Sequence, residues 1–281
     1  MIRHEKIPDI YQYPAHLREA LTALPSAPGV YVFHGGSDIL PLYIGKSVNI
    51  RARVMSHMRA RNEAKLLRQT QRITFIETAG EIGALLLEAQ MIKQHAPLFN
   101  KRLRKSRQLC SIHFDGAHVD IVYAKTVNFS VTPHLHGIFS NRMSALNTLK
   151  AIADEQQLCL SVLGLERVPA GRPCFRHSLR KCAGACCAKE SLANHHQRLS
   201  ARLEALRLIC WTFPGRIAIK ESRTEMTSYH IIHHWLYLGT VTRLSDADKL
   251  QQVAAHFDND SYKILCKPIV SNRVDIILLE K

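Results

Sequence analysis

Two tyrosines, Tyr31 and Tyr43, stand beside glycines in the short words Gly29-Val30-Tyr31 and Tyr43-Ile44-Gly45. The gap between the words has hairpin length, which places the two phenols on adjacent strands. Lys46 follows directly, Arg53 lies one to two turns into the next helix, Glu88 sits in the middle of a long helix, and Asn100 follows its end. Phosphodiester hydrolysis needs such a set. A base takes a proton from water, a cation offsets charge developing on the phosphate, and a carboxylate with waters holds a divalent metal. Taken singly, each residue also has an ordinary reading. The tyrosines suit core aromatics with satisfied hydroxyls, Lys46 and Arg53 suit solvated charges, and Glu88 suits the surface of an amphipathic helix. Glu88 is pivotal because its neighbours Ala84, Leu85, Leu86, Leu87 and Ala89 are apolar. A carboxylate among them must be paired, metal-bound or turned to solvent.

The elements that position these residues are legible in the pattern. Tyr11 to Leu24 reads as a short amphipathic helix, ended by Pro25 and Pro28. Strands are predicted over Val30–Phe33, Leu42–Ile44 and Ile73–Thr78. A helix is predicted from Ser47, as N-cap, to about Arg61. Glu81 to His95 is the clearest helix, with an apolar stripe of Ile82, Leu85, Leu86, Ala89 and Ile92 and a stop at Pro97. Further on come strands over Leu109–Phe114 and Val119–Tyr123, a helix from about Asn141 to Glu155, and a cysteine-rich stretch from Cys159 to Cys187. An amphipathic helix follows, carrying Leu192, Leu199, Leu203, Leu206 and Cys210 on one side. The tail reads as β-rich over Arg216–Lys220, Tyr229–Leu238, Tyr262–Cys266 and Val274–Leu279. The expected class is α/β (α+β). The chain divides into a helical lead at 1–24, a nuclease-like unit at 25–107, a connecting α/β region with the cysteines at 108–190, and a C-terminal α/β region at 191–281.

Composition narrows the partner. The chain of 281 residues has 46% hydrophobic and 22% charged residues and a formal charge of +15. It is a globular chain suited to a polyanion, nucleic acid before membrane. No apolar run approaches the roughly 20 residues that span a bilayer, and Met1 to Pro14 lacks the apolar core and cleavage site of a secretory signal. The expectation is a cytoplasmic protein with no membrane partner, whose eight cysteines are thiols or metal ligands rather than disulfides. Lys101, Arg102, Arg104, Lys105 and Arg107 put five cations in seven residues just beyond the candidate site. Arg51, Arg59, Arg61, Lys65, Arg68 and Arg72 add to them. Such a surface positions a duplex without reading its sequence, although any basic run can also be a solvated face.

The segment from Pro28 to Asn100 resembles a GIY-YIG endonuclease domain, with Val30 in place of the isoleucine of the name. It is most similar to the N-terminal nuclease domain of the UvrC repair proteins, through YIGKSVNIRARV and ALLLEAQMIKQHAPLFNKRL. The resemblance implies a three-stranded, mainly antiparallel sheet with flanking helices. It implies Glu88 as the only protein ligand to one Mg²⁺ or Mn²⁺, and Tyr43 as general base with Tyr31 hydrogen-bonded nearby, the reverse remaining open. Arg53 would stabilise the pentavalent phosphate, Lys46 would bind phosphate or water, and Asn100 would orient Glu88 or the backbone of its loop. One departure is His57, where UvrC proteins often carry a tyrosine; it either replaces that hydroxyl or packs. The second nuclease domain, UvrB-binding coiled segment and helix-hairpin-helix tail of full UvrC have no counterpart in this sequence. The chain therefore resembles the short members of the family, a likeness that extends to YHIIHHWLYLG and YKILCKP in the tail. That implies one incision, 3′ to a lesion in damaged double-stranded DNA, within a UvrB-containing complex during nucleotide excision repair. The alternatives are a catalytically inactive iron–sulfur accessory that binds DNA, and a structure-selective nuclease that needs no partner.

Cys159, Cys174, Cys182 and Cys186 have the spacing C-x14-C-x7-C-x3-C, with Cys187 adjacent. Structural zinc usually offers two short knuckles, and this pattern has one. Wider spacing also suits an iron–sulfur cluster, and four unligated buried thiols form the plain alternative. GRPCF and RKCAGACC resemble the cysteine segment of UvrC proteins, which implies a [4Fe–4S] cluster, with Zn²⁺ as the alternative. Arg172, Arg176, Arg180 and Lys181 should lie near it. His195 and His196 read as part of a polar helix face.

Overall fold

The computed structural model describes residues 15–36, 40–100, 108–169, 171–250 and 257–279. Three small antiparallel sheets succeed one another along the chain. The first has the order β2-β1-β3, from β1 (Gly29–His34), β2 (Pro41–Ser47) and β3 (Arg72–Glu77). Alternation along the central strand sends Tyr31 and Phe33 to one face and Val30 and Val32 to the other. Tyr31 and Phe33 pack with Leu17 and Leu21 and with Ile50, Val54 and Met58 of α2 (Ile50–Arg59). Leu66 and Leu67 of α3 (Ala64–Gln69) close that layer. Val30, Val32 and Ile44 meet Ile92 of α4 (Glu81–His95) on the opposite face. The edge of β2 is covered by the chain leaving α4, where the Leu98 and Phe99 amides donate to the Pro41 and Leu42 carbonyls.

Local details differ from the sequence expectation. The first helix is short, a 3-10 turn over Ala15–Leu17 and then α1 (Arg18–Thr22); Tyr11 to Pro14 lie outside the described residues. The cap of α2 is Asn49, whose side chain accepts the Ala52 amide, while the Ser47 hydroxyl folds onto the backbone of Asn49. Helix α4 has the expected bounds, and it ends on Ala96 in the left-handed region just before Pro97.

The second sheet, β5-β4-β6, uses β4 (Cys110–Phe114), β5 (Val119–Tyr123) and β6 (Leu135–Phe139), and is packed by α5 (Arg142–Glu155). Strand β6 was not read from the sequence: Pro133 precedes it and Gly137 at φ 71° interrupts its alternation. The one-turn helix α6 (Phe175–Ser178) lies in the cysteine segment. Helix α7 (Leu192–Glu204) buries Leu199 and Leu203 in this second core.

The third sheet, β10-β7-β8-β9, consists of β7 (Ile217–Arg223), β8 (Met226–His233), β9 (Leu236–Val241) and β10 (Asp275–Leu278). The run Tyr229–Leu238 is not one strand. His234 and Trp235 take φ 51° and 65°, forming a two-residue turn between β8 and β9. Tyr262–Cys266 is not a strand either; it belongs to α8 (Asn259–Val270), which buries Leu265 and Ile269 against the sheet. Both tryptophans of the chain, Trp211 and Trp235, lie in this third core, edge to face with centroids 5.2 Å apart.

Candidate active site

The register Tyr31↔Gly45 and Phe33↔Tyr43 sets the two phenols on one face of the β1–β2 hairpin, with ring centroids 6.2 Å apart. Gly45 makes this possible. A Cβ there would lie 2.4 Å from the Tyr31 hydroxyl and 2.8 Å from the Tyr43 ring. The two tyrosines have different environments. Tyr31 is fully buried, and its hydroxyl lies 2.6 Å from Nε2 of His57, which is itself buried. Nδ1 of His57 bonds the Glu63 carboxylate. That pairing puts the proton on Nδ1 and leaves Nε2 to accept from Tyr31. Tyr43 is half-buried and lines a cleft of about 260 Å³ together with His57, Glu63, Lys65 and Phe99.

Charge follows this geometry. Burial raises the pKa of both phenols; Tyr31 is raised further by Tyr43, and Tyr43 further by the charge of Glu88. The Tyr31 hydroxyl and Arg53 act on Tyr43 in the opposite sense. Burial lowers the His57 pKa against the pull of Glu63 and keeps the ring neutral. The neighbouring Tyr31 raises the pKa of Arg53.

Glu88 comes from α4, on the other side of the sheet, and meets the strand end at Lys46, whose backbone amide donates to its Oε1 at 3.0 Å. Burial raises the Glu88 carboxyl above the ordinary range, opposed by the Lys46 amide and by the charges of Lys46 and Arg53. The Lys46 ammonium is paired with Glu81 at 2.6 Å, on the first turn of α4. Asn100 bonds the backbone of β2 rather than Glu88: Oδ1 accepts the Ile44 amide at 2.9 Å and Nδ2 donates to the Ile44 carbonyl at 2.8 Å. It thereby fixes the residue between Tyr43 and Gly45.

The second centre is the cysteine group. The sulfurs of Cys159, Cys174, Cys182 and Cys186 all lie within 4.8 Å of one another. The Cys174 amide donates to Cys186 and the Gly184 amide to Cys182, both at 3.3 Å. Amides aimed at sulfur suit thiolates. Burial raises Cys159, but Ser161 and neighbouring amides bring it down to about 7, while burial pushes Cys186 up to about 11. Cys187 donates instead to the Gly184 carbonyl and stands outside the group. His195 is not on a polar face: it is fully buried, and its Nε2 accepts the Cys159 amide at 3.0 Å. His196 packs edge-on against Phe114.

Three family models match in succession: a UvrC-like GIY-YIG domain over residues 27–101, the UvrC/Cho excinuclease middle domain over 98–205, and the excinuclease Cho C-terminal domain over 216–281. The excinuclease cho of Escherichia coli (strain K12) is 57% identical over 271 residues, covering 96% of this chain and 92% of that protein. The chain belongs to the Cho family of excinucleases. As a Cho-family protein it is a GIY-YIG endonuclease of nucleotide excision repair. The UvrABC system protein C of Deinococcus radiodurans is 30% identical over 167 residues, 59% of this chain and 27% of that protein. A crystal structure of the GIY-YIG N-terminal endonuclease domain of UvrC from Thermotoga maritima, bound to magnesium as its catalytic divalent cation, is 27% identical. It covers 31% of this chain and 98% of that one, at a TM-score of 0.29.

For this Cho-family chain the structure draws Tyr31, Tyr43, Lys46, Arg53, His57, Glu88 and Asn100 around β2. Lys101, Arg102, Arg104, Lys105 and Arg107 lie outside the described residues. Arg51, Arg59, Arg61, Lys65 and Arg68 are exposed. Sequence reasoning missed Glu63, the partner of His57, and the steric need for Gly45. Glu63 lies beyond the end of α2, so no helical periodicity connects it to His57.

Proposed function

We propose that this chain makes a single incision on the 3′ side of a lesion, on DNA presented by a UvrB-containing complex, leaving a 5′-phosphate and a 3′-hydroxyl. The observation that carries the mechanism is the division of labour between the phenols. Tyr31 is sealed against His57, whereas Tyr43 opens on the cleft where a water and a phosphate can sit. Tyr43 is therefore the phenol placed to act as general base, a role that requires the charge of Arg53 to offset the burial that raises its pKa, and Tyr31 with His57 and Glu63 holds its surroundings. Arg53, whose charge acts on both phenols, offsets charge on the phosphate.

Glu88 fits a divalent cation. One oxygen is fixed by the Lys46 amide, Oε2 is left to the ion, and a buried carboxylate with a raised pKa gains from a positive partner. Bound there, Mg²⁺ or Mn²⁺ would polarise the phosphate and stabilise the leaving oxygen. Lys46 exchanges Glu81 for phosphate or water when substrate arrives. The exposed arginines and the 101–107 tract bind the duplex backbone without sequence preference, so damage specificity belongs to the partner complex. We assign a chain that acts on DNA under repair to the cytoplasm. Among the described residues no helix is long and apolar enough to cross a membrane.

At the cysteine group we propose a [4Fe–4S] cluster, supported by the local words shared with UvrC proteins and by amides directed at two of the sulfurs. The close grouping of the sulfurs favours a second reading, a single zinc ion, since Zn–S bonds of about 2.3 Å bring four thiolates near one another. Anaerobically purified protein that is brown and absorbs near about 400 nm supports the cluster; colourless protein with one zinc retires it.

The function is tested by nicking of lesion-bearing duplex with Mg²⁺ and the UvrA and UvrB proteins. The expected result is one cut 3′ to the lesion, lost without UvrB and lost in Glu88→Ala. Equal cutting by Glu88→Ala and wild type removes the mechanism, and cutting without UvrB makes the chain a free-standing nuclease.

A further inference from the structure

Helix α4 carries the proposed metal ligand, yet its first turn is not completed by its own domain. Gly80 stands at the N-cap and offers no side chain. The cap comes from β7, 139 residues away along the chain. Glu221 accepts the Ile82 amide at 2.9 Å on Oε1 and the Gly83 amide at 2.8 Å on Oε2. Oε2 also lies 2.9 Å from Nε2 of His230 on β8, whose Nδ1 is 2.7 Å from the Thr240 hydroxyl. The carboxylate is largely buried, with 14% of its side chain exposed, and His230 is 1% exposed. A buried carboxylate persists only when its lone pairs are occupied and its charge is met, here by a helix N-terminus and an imidazole.

Two glycines make the room. A Cβ on Gly80 would stand 2.2 Å from Glu221 Oε1, and one on Gly83 would stand 2.8 Å from the His230 ring and 3.2 Å from Glu221 Oε2. The same helix then buries Leu86 in the C-terminal core and pairs Lys93 with Asp258, the N-cap of α8, at 2.5 Å and with Asp260 of α8 at 3.0 Å. Its other face lies on Val30, Val32 and Ile44. Glu88 sits between these two holds, so the setting of α4 about its axis depends on both domains.

We propose that Glu221 is a positioning residue of the nuclease reaction: the C-terminal domain grips the first turn of α4 and, through that helix, sets the Glu88 carboxylate against the Lys46 amide and the cation. This rests on Glu88 as the metal ligand. Residues that orient a ligand typically cost 10- to 100-fold in metal affinity when removed.

The test uses the full chain and Mn²⁺ as the probe, counting only the binding that Glu88→Ala abolishes. Glu221→Gln and Gly83→Ala should each weaken that binding about tenfold and raise the half-saturating Mg²⁺ for nicking by the same factor, with the KM for DNA unchanged. Gly83→Ala is informative in sign. Alanine is the better helix former, so an affinity loss there cannot come from a weaker helix and must come from displacing the Glu221–His230 pair. The double variant should be no worse than either single one. Unchanged Mn²⁺ affinity and Mg²⁺ half-saturation overturn the proposal, even if the thermal midpoint or the fraction of active molecules falls. Should Glu221→Gln fail to fold, Gly83→Ala decides alone. If Glu88→Ala binds Mn²⁺ like wild type, the ligand assignment fails first, and the proposal falls with it for a separately visible reason.

Discussion

The two centres of this molecule answer opposite requirements. Around β2 a carboxylate is held by one backbone amide, a phenol faces a cleft and an arginine stays largely accessible. Around the cysteines, three of the four side chains are buried, amides point at the sulfurs, and even the flanking imidazole of His195 is spent on the Cys159 backbone. An open shell leaves positions for water and substrate, and a closed shell fixes the chain. The difference teaches that the first centre is arranged to be completed from outside, whereas the second is closed in by its own chain.

That contrast can be broken in several places. Glu88→Ala should have the largest effect, a loss of several kcal/mol of transition-state stabilisation, on the order of 10³-fold or more in the nicking rate. Single-turnover nicking under saturating UvrB measures it. Tyr43→Phe should lower the same rate on the order of 10²-fold, and Tyr31→Phe by clearly less, because only the first hydroxyl meets the cleft. Equal losses would return the choice of base to an open question. Cys174→Ser should abolish the metal content proposed for the cysteine group, read by elemental analysis, and lower the thermal midpoint of the middle region. It should change nicking by the already loaded front site less than about tenfold, since the two centres share no ligand.

A smaller effect sharpens the electrostatics. With its carboxyl raised by burial, Glu88 favours the metal-free fold when protonated. That contribution is complete below the unfolded glutamate pKa and lost as pH rises through the folded value. Glu88→Gln keeps the acceptor for the Lys46 amide without the charge. The metal-free variant should therefore melt slightly above wild type at neutral pH, and the gap should close on acidification. A gap that widens in acid contradicts the burial argument. The smallest expected change is for Lys101→Ala with Arg104→Ala: weaker binding to duplexes of any sequence and a shallower salt dependence, by about one unit of slope per lost phosphate contact.

Much of the front site was legible because its cues are local. The tyrosine words, their hairpin spacing and the helix over Glu81–His95 depend on neighbours a few residues apart. The failures are tertiary. Tyr262–Cys266 has a strand-like composition, yet it lies in a helix because Leu265 and Ile269, four apart, are buried in a core closed by β7 and β8. The break in Tyr229–Leu238 depends on His234 and Trp235 adopting positive φ, which neither residue advertises. Glu63 and Glu221 gain their roles from partners across a helix end and from another domain. Glu63 is six residues from His57 but at no helical spacing from it, and Glu221 is 139 residues from Ile82.

The tryptophan pair has a practical consequence. With both indoles confined to the C-terminal core and the nuclease sheet containing none, ultraviolet emission excited at the indole band is a private signal of that core. Because Leu86 of α4 borders the same core, a quench or wavelength shift on loading the front site would register motion transmitted along the helix, with no dye attached.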